Sequence, residues 1–444
     1  VGNYNINPNT MIKRFMFLLL AAVSVACTVD ETVDSAKGDP NLTITPESGD
    51  PEGIDESVFA LLNLDYPGLE KVKSSYEEED MYMAAYYLLE YYRSRTEVYN
   101  SNPDLVNPTL TVAEKRIADQ ALEGRFYVKY GGVESVDEVT GIETYWSFLD
   151  ADGNVDWTYL PQGVDYKSEF SYQKNRHQWM LPQAKAYRAT GNEDYFNNWI
   201  DSYWSWLEKY PCPEGKTSQM EWTGLQLSNR ISVQTEILWY YIHSSGFTPA
   251  LLTKFLKALY QHVECQRSNW YNTATSNIRL SQEQAFTIAA IMYPEFVKSE
   301  EWLSEGASAI ANQLETQFLE DGVHNEFDIS YHFGDTGLAA FTELYSIVSA
   351  NDKLSLFPSD YKDKLYRATQ FMKDVIYPNY SVDNFNDTRS QRVTKSVLLK
   401  NFRTYSSMFP EDPELMWIAN QGAAGTKPSY RSKSYPAGGY YMLR

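Results

Sequence analysis

Cysteine is scarce: three in 444 residues, too few to brace a disulfide scaffold. Spacing alone leaves open whether Cys212 and Cys265 pair in an oxidising compartment. Basic side chains are also short. Lys and Arg number 38 against 59 Asp and Glu, a formal net charge of −21, which argues against a nucleic-acid binder, since that requires a basic field. A polyanionic sugar stays open as a ligand, because local clusters decide contact and not the sum. No long hydrophobic run is present. The apolar stretch at 15–25 is much too short to span a bilayer as a mature helix. Alternating strands are missing until the last residues, and no repeat at fixed period is visible.

Aromatic residues are abundant instead, at 15% with 35 Tyr and 11 Trp. They fit either a Tyr-rich core or a cleft lined with amphipathic rings, which suits sugars because rings stack on C–H faces while their tips hydrogen-bond. The chain is long enough for two or three domains or for one large helical assembly.

Residues 1–10 read as translated sequence ahead of a start at Met11. Lys13-Arg14 and the apolar run after them read as a secretory signal. Ser24-Val25-Ala26-Cys27 resembles a bacterial lipobox with Cys27 as the lipidated residue, although Ser24 departs from the usual Leu; an ordinary cleaved signal is the alternative. Residues 28–56 are acidic and aperiodic, a flexible tether. Asp30-Glu31 directly after the cysteine resembles the export signal of surface lipoproteins. The expected location is periplasmic or cell-surface, anchored in the outer membrane.

From 57 the spacing predicts helices over 81–95 and 112–122, then an irregular segment at 131–165. Further helices are predicted over 172–189, 194–210, 222–244, 249–270, 281–293, 300–318, 334–350, 361–376 and 391–402. Connections are short, so neighbours run antiparallel. The fold class is all-α: helical hairpins in a solenoid, open or closed into a ring, over 57–430. Residues 431–444 switch to Pro, paired Gly and alternating aromatics, the look of a first β-strand without a partner.

Titratable groups concentrate at 321–333 (DGVHNEFDISYHF), where His324, Glu326, Tyr331 and His332 follow an Asp-Gly turn and lead into a helix. Such side chains catalyse, or they cap and pack. Asn277 follows Ser276 ahead of a helix and reads locally as an N-cap. Arg230 and Arg279 suit bidentate anion contact or plain ion pairs. Arg176-His177 fits an anion binder or a helix-surface pair, and His243 and His262, within long helices, read as structural. Asp150–Asp156 (DADGNVD) has oxygen ligands at spacing for a structural calcium but lacks the distal Glu, so an acidic turn is the plainer reading.

Taken together, the chain resembles the heparinase II/III family, closest to its heparinase III branch. The resemblance is carried by Asp156-Trp157; Asn175-Arg176-His177 with Ala186-Tyr187 and Thr190-Gly191-Asn192-Glu193; and Trp222 with Arg230. It continues through Thr275-Ser276-Asn277, Tyr293-Pro294-Glu295-Phe296, Asp321-Gly322, Glu326, Tyr331-His332 and residues 436–444. It implies an incomplete α/α toroid followed by an antiparallel β-sandwich, of which this chain would hold only the start. It also implies β-elimination across a uronic acid, with heparan sulfate as the expected substrate. By resemblance Tyr331 is base and acid, and Asn277 neutralises the uronate carboxylate. Arg176, His177, Arg230, Arg279, Glu326 and His332 are expected to bind substrate, with His332, His324 or Arg279 favouring the phenolate. A further catalytic His belongs, by the same resemblance, to the family's β-domain, so this chain is expected to be a truncated one. The expected protein is a monomer, needs no cofactor for catalysis, and contacts an acidic glycosaminoglycan and the outer membrane. The rival readings are a two-carboxylate glycoside hydrolase, a lyase of alginate or chondroitin, and an outer-membrane glycan-binding lipoprotein without catalysis.

Overall fold

Most helices begin where a short polar side chain takes up a free backbone N–H, the ordinary logic of an N-cap. The computed structural model of the chain describes residues 53–95, 109–128, 145–162, 167–334, 337–383, 386, 393–428 and 432–443. The signal, Cys27 and the tether as far as residue 52 lie outside the described residues.

In chain order come α1 (Glu70–Glu77), α2 (Met81–Ser94), α3 (Val112–Leu122), and a small antiparallel pair, β1 (Arg125–Tyr127) with β2 (Tyr145–Ser147). Then follow α4 (Lys167–Lys174), α5 (Met180–Thr190), α6 (Glu193–Lys209), α7 (Gly224–Tyr241), α8 (Pro249–Ser268), α9 (Asn277–Met292) and α10 (Ser299–Gln317). The chain continues with α11 (Ile329–Phe333), α12 (Leu338–Ala350), α13 (Tyr361–Val375), α14 (Lys395–Met408) and α15 (Pro413–Ala419), and a final hairpin, β3 (Ser432–Tyr435) with β4 (Tyr440–Leu443).

Two layers follow from which helices touch. Helices α3, α5, α7, α9, α12 and α14 pack one on the next, forming an inner arc. Helices α6, α8, α10 and α13 form a second layer, each against the helix that precedes it in the chain. The sequence supports this division. On outer α6 the buried residues Tyr195, Phe196, Trp199, Ser202, Tyr203 and Trp206 recur at helical spacing on one face. Inner α7 and α9 are buried almost all round, with residues such as Glu236 and Glu283 enclosed along with the apolar ones. The result is the expected incomplete α/α toroid.

Several expectations need correction. The helix predicted over 172–189 is two helices, because the chain turns at Asn175–Trp179 with His177 in the left-handed region (φ 56°). No Pro or Gly marks the break. It is held by tertiary contacts: Arg230 donates to the Asn175 carbonyl (2.9 Å), and Trp206 Nε1 to Asn175 Oδ1 (2.8 Å). The helix predicted from 334 begins at Leu338, after the separate short α11. The terminal segment is not a lone strand; Ser432 to Tyr435 pair in register with Leu443 to Tyr440 around Pro436–Gly439. Among the described residues no helix is long and apolar enough to cross a membrane.

Candidate active site

The stretch 321–333 is fixed at both ends. Gly322 (φ 85°) makes the turn, and a Cβ there would meet the Arg367 carbonyl at 2.5 Å, so α13 packs directly on the loop backbone. Asp321 accepts from Val323 N (3.3 Å) and from Gly438 N (3.0 Å), and Tyr440 Oη donates to Phe327 O (2.8 Å). The terminal hairpin therefore braces the loop. Asp328 then caps α11 by accepting from Tyr331 N (3.0 Å), and Gly337 lets α12 start against the carbonyls of Tyr331 and His332, where a Cβ would fall 1.9 Å from the first. Tyr331 is left half-buried and Glu326 exposed.

Asn277 is the first residue of α9 and not its cap. Ser276 takes that role, its Oγ accepting from Arg279 N (3.2 Å), which removes the capping alternative. Its side chain is half-buried at the mouth of the loop 269–276. Two residues on, Arg279 lies over Trp270 (4.5 Å), donates to Glu283 Oε1 (2.5 Å) and reaches Tyr271 O (3.3 Å). Tyr271 is 41% exposed beside them, a ring on which a sugar face can stack. Burial pushes the Glu283 carboxyl up, the Arg279 partner opposing it.

Three residues expected to touch substrate are buried. His332 is 1% exposed; Nε2 donates to Ala368 O (3.0 Å), Nδ1 accepts from His324 N (3.3 Å), and burial pushes its pKa down to about 3. His324 is enclosed likewise, at about 4. Both rings are neutral at pH 7, so neither is the cation that favours a phenolate on Tyr331. Arg230 is wholly buried, sandwiched between Trp206 (4.0 Å) and Trp222 (5.1 Å); Nη1 donates to Asn175 O and Gln226 O and Nε to His262 Nε2, while Nη2 has no partner among the described residues. It is a structural cation. His177 is equally enclosed, by Trp157, Trp179, Tyr203 and Trp206, and burial drives its pKa far down. Arg176 beside it is half-buried.

His262 proves structural as expected, Nδ1 donating to Ala258 O (2.7 Å). Cys212 and Cys265 are free thiols; Cys212 Sγ lies 3.6 Å from Gln261 O, one turn before Cys265 on α8. In the Asp150–Asp156 loop, Asp150 Oδ1 accepts from Asp152 N (2.9 Å) and Asn154 N (2.8 Å), an acidic turn that satisfies itself. Among the described residues no three His, Cys, Asp or Glu side chains cluster as a metal site.

Sequence reading missed Gln313, Gln317 and Glu283, all buried around the two key segments. The signal was available: Gln313 and Gln317 fall within the apolar stripe that Ile310 and Leu314 define on α10.

Comparison with known proteins bears on the family and the helical fold. A family model described as Heparinase II/III N-terminus matches residues 58–417. A heparin-sulfate lyase of Bacteroides thetaiotaomicron is 35% identical over 450 residues, covering 98% of this chain and 62% of that protein. One of Bacteroides stercoris is 30% identical, covering 87% of this chain and 57% of its own length. A crystal structure of heparinase III, 37% identical, matches with a TM-score of 0.76 over 88% of this chain and 59% of that one. The chain thus spans about three fifths of the length of the curated relatives it matches. On the extent of that match, the chain belongs to the heparinase II/III family.

Proposed function

We propose that this chain is the helical part of a polysaccharide lyase that cleaves a uronic-acid-containing glycosaminoglycan, heparan sulfate first among them, by β-elimination. The observation that carries the reading is the pairing of family membership with geometry. Asn277 is freed from capping at the start of α9, and Tyr331 is held half-buried on a braced loop.

The C5 proton of a uronate is weakly acidic while its carboxylate is charged. Asn277 would donate its amide N–H to that carboxylate, stabilising the charge that develops as C5 loses its proton, without adding a titrating group. Tyr331 as phenolate takes the C5 proton. The electron pair forms the C4–C5 double bond, and the C4–O bond breaks with its electrons on the leaving oxygen. Tyr331, now protonated, returns a proton to that oxygen. With both loop histidines neutral, Arg279 is the remaining cation of those expected to favour the phenolate, its charge shared with Glu283. Arg279, Tyr271 and Glu326 are at least partly accessible and would meet the sugar chain. Arg176 is half-buried in a separate turn. The proposed setting is a monomeric lipoprotein anchored through Cys27 at the outer membrane, facing the periplasm or the outside.

The test is the ultraviolet absorbance of the unsaturated uronate on heparan sulfate, heparin, chondroitin sulfate and alginate. A rise on one of them that falls at least ~100-fold in Tyr331→Phe and Asn277→Ala is expected, the scale of removing an acid–base group or an oxyanion donor. Binding that persists in both variants with no turnover in the parent would sink the lyase and favour a glycan-binding lipoprotein.

A further inference from the structure

Gln313 and Gln317 occupy consecutive turns on the inward face of α10, at 1% and 2% exposure. A buried amide left without partners costs roughly 1–3 kcal/mol, so where these bonds go is informative. Gln313 Nε2 donates to Ala274 O (2.5 Å), in the loop that delivers Asn277. Gln317 Nε2 donates to Gln313 Oε1 (2.6 Å). His324 Nε2 donates to Gln317 Oε1 (3.1 Å), while its Nδ1 accepts from Glu326 N (3.3 Å). The His324 backbone N–H then reaches His332 Nδ1 (3.3 Å), next to Tyr331, and His332 Nε2 donates to Ala368 O (3.0 Å).

The direction of every bond is set by the ends. Ala274 O can only accept and Glu326 N can only donate, so both amides and the His324 tautomer have one satisfying arrangement. A chain of this kind is either fully made or broken, and buried it is stiff. It spans two segments that sequence places far apart, the second of which is also tied to α10 by the backbone bond from Asn325 N to Gln317 O (2.7 Å).

We propose that Gln313, Gln317 and His324 are positioning residues that hold the Asn277 segment and the Tyr331 segment at one separation. The inference rests on the reading of Asn277 and Tyr331 as the groups that touch substrate. An elimination in which one group must meet C5 while the other meets the carboxylate depends on that separation, and a displacement of about 1 Å costs on the order of 100-fold.

Gln317→Leu removes both of its side-chain bonds, keeps the backbone bond from Asn325 N, and nearly keeps its volume. Hydrogen exchange followed by mass spectrometry is expected to quicken at 271–277 and at 324–331 together, and not in α5. On heparan sulfate, kcat falls about 10- to 100-fold while KM stays within about twofold. Added to Asn277→Ala, the same change costs little more, because the position it guards is already empty. His324→Gln, whose amide replaces the Nε2–H, retains activity and exchange protection; His324→Leu loses both, and this pair decides the matter if Gln317→Leu does not fold. Unchanged exchange at 271–277 in folded Gln317→Leu overturns the proposal, as does full additivity with Asn277→Ala. If Asn277→Ala and Tyr331→Phe turn over like the parent while both segments still loosen together, the assignment of those two residues fails and the coupling of the segments stands.

Discussion

A neutral histidine buried in a fold is a liability in acid. His262, His324 and His332 are each fully or nearly enclosed, and burial places them at about 3, about 4 and about 3, against an ordinary value of 6.5. Their depressed values mean that the unfolded chain binds protons first. The stability they confer is complete above about pH 6.5 and is lost as pH falls from there toward 4. Each adds a slope of about 1.4 kcal/mol per pH unit within that window. Urea midpoints measured from pH 7 to 4.5 should fall steeply, and His262→Gln should flatten the slope by about one proton; a midpoint independent of pH would contradict the burial. None of this was legible locally. His332 beside Tyr331 looked like a second substrate contact, and Arg230 like an anion clamp, because residue type announces chemistry while burial is decided by helices far off in sequence. Asn277 stood out only through family resemblance, since Ser-Asn ahead of a helix is also how a cap is written, whereas Tyr331 already lay in the titratable stretch 321–333 and took its role from the resemblance.

Elements were far easier to read than their joints. The periodic stretches at 81–95, 112–122, 194–210, 249–270 and 361–376 match observed helices to within two residues, because a one-sided apolar stripe with a polar cap specifies a helix without outside help. The break at His177 and the short α11 are tertiary products and escaped notice. A joint of the same kind links α2 to the turn between α9 and α10. Glu295, wholly buried, accepts from Arg95 (2.8 Å), Tyr91 Oη (2.6 Å) and Tyr92 Oη (3.1 Å), while Arg95 lies over Trp239 (4.6 Å). Glu295→Ala strands a largely enclosed guanidinium and two phenols, and should cost roughly 3–5 kcal/mol in urea unfolding. Glu295→Gln keeps an acceptor and should cost less; equal losses would mean that the carboxylate charge contributes nothing.

At the scale of the whole molecule, two facts pull in opposite directions. Consecutive hairpins made the layered helical architecture readable, but whether they ran straight or curved into a ring depends on how α5, α7, α9 and α12 pack edge to edge, which no helix encodes alone. The molecule has a net charge of −21, and the substrate proposed for it is a polyanion. At ~0.01 M salt the Debye length is about 30 Å, so an approaching chain feels the acidic total; at ~0.1 M it is about 10 Å, and only groups near the contact act. Arg279 is one such group. The association rate with heparan sulfate, followed by stopped-flow intrinsic Trp fluorescence, should therefore rise as salt increases from the first condition to the second. It should fall again at higher salt as the contact pairs themselves are screened. A rate that falls from the lowest salt onward would show that a local positive field outweighs the total charge, and would place the sugar-binding surface on a more basic face than Arg279 and its neighbours supply.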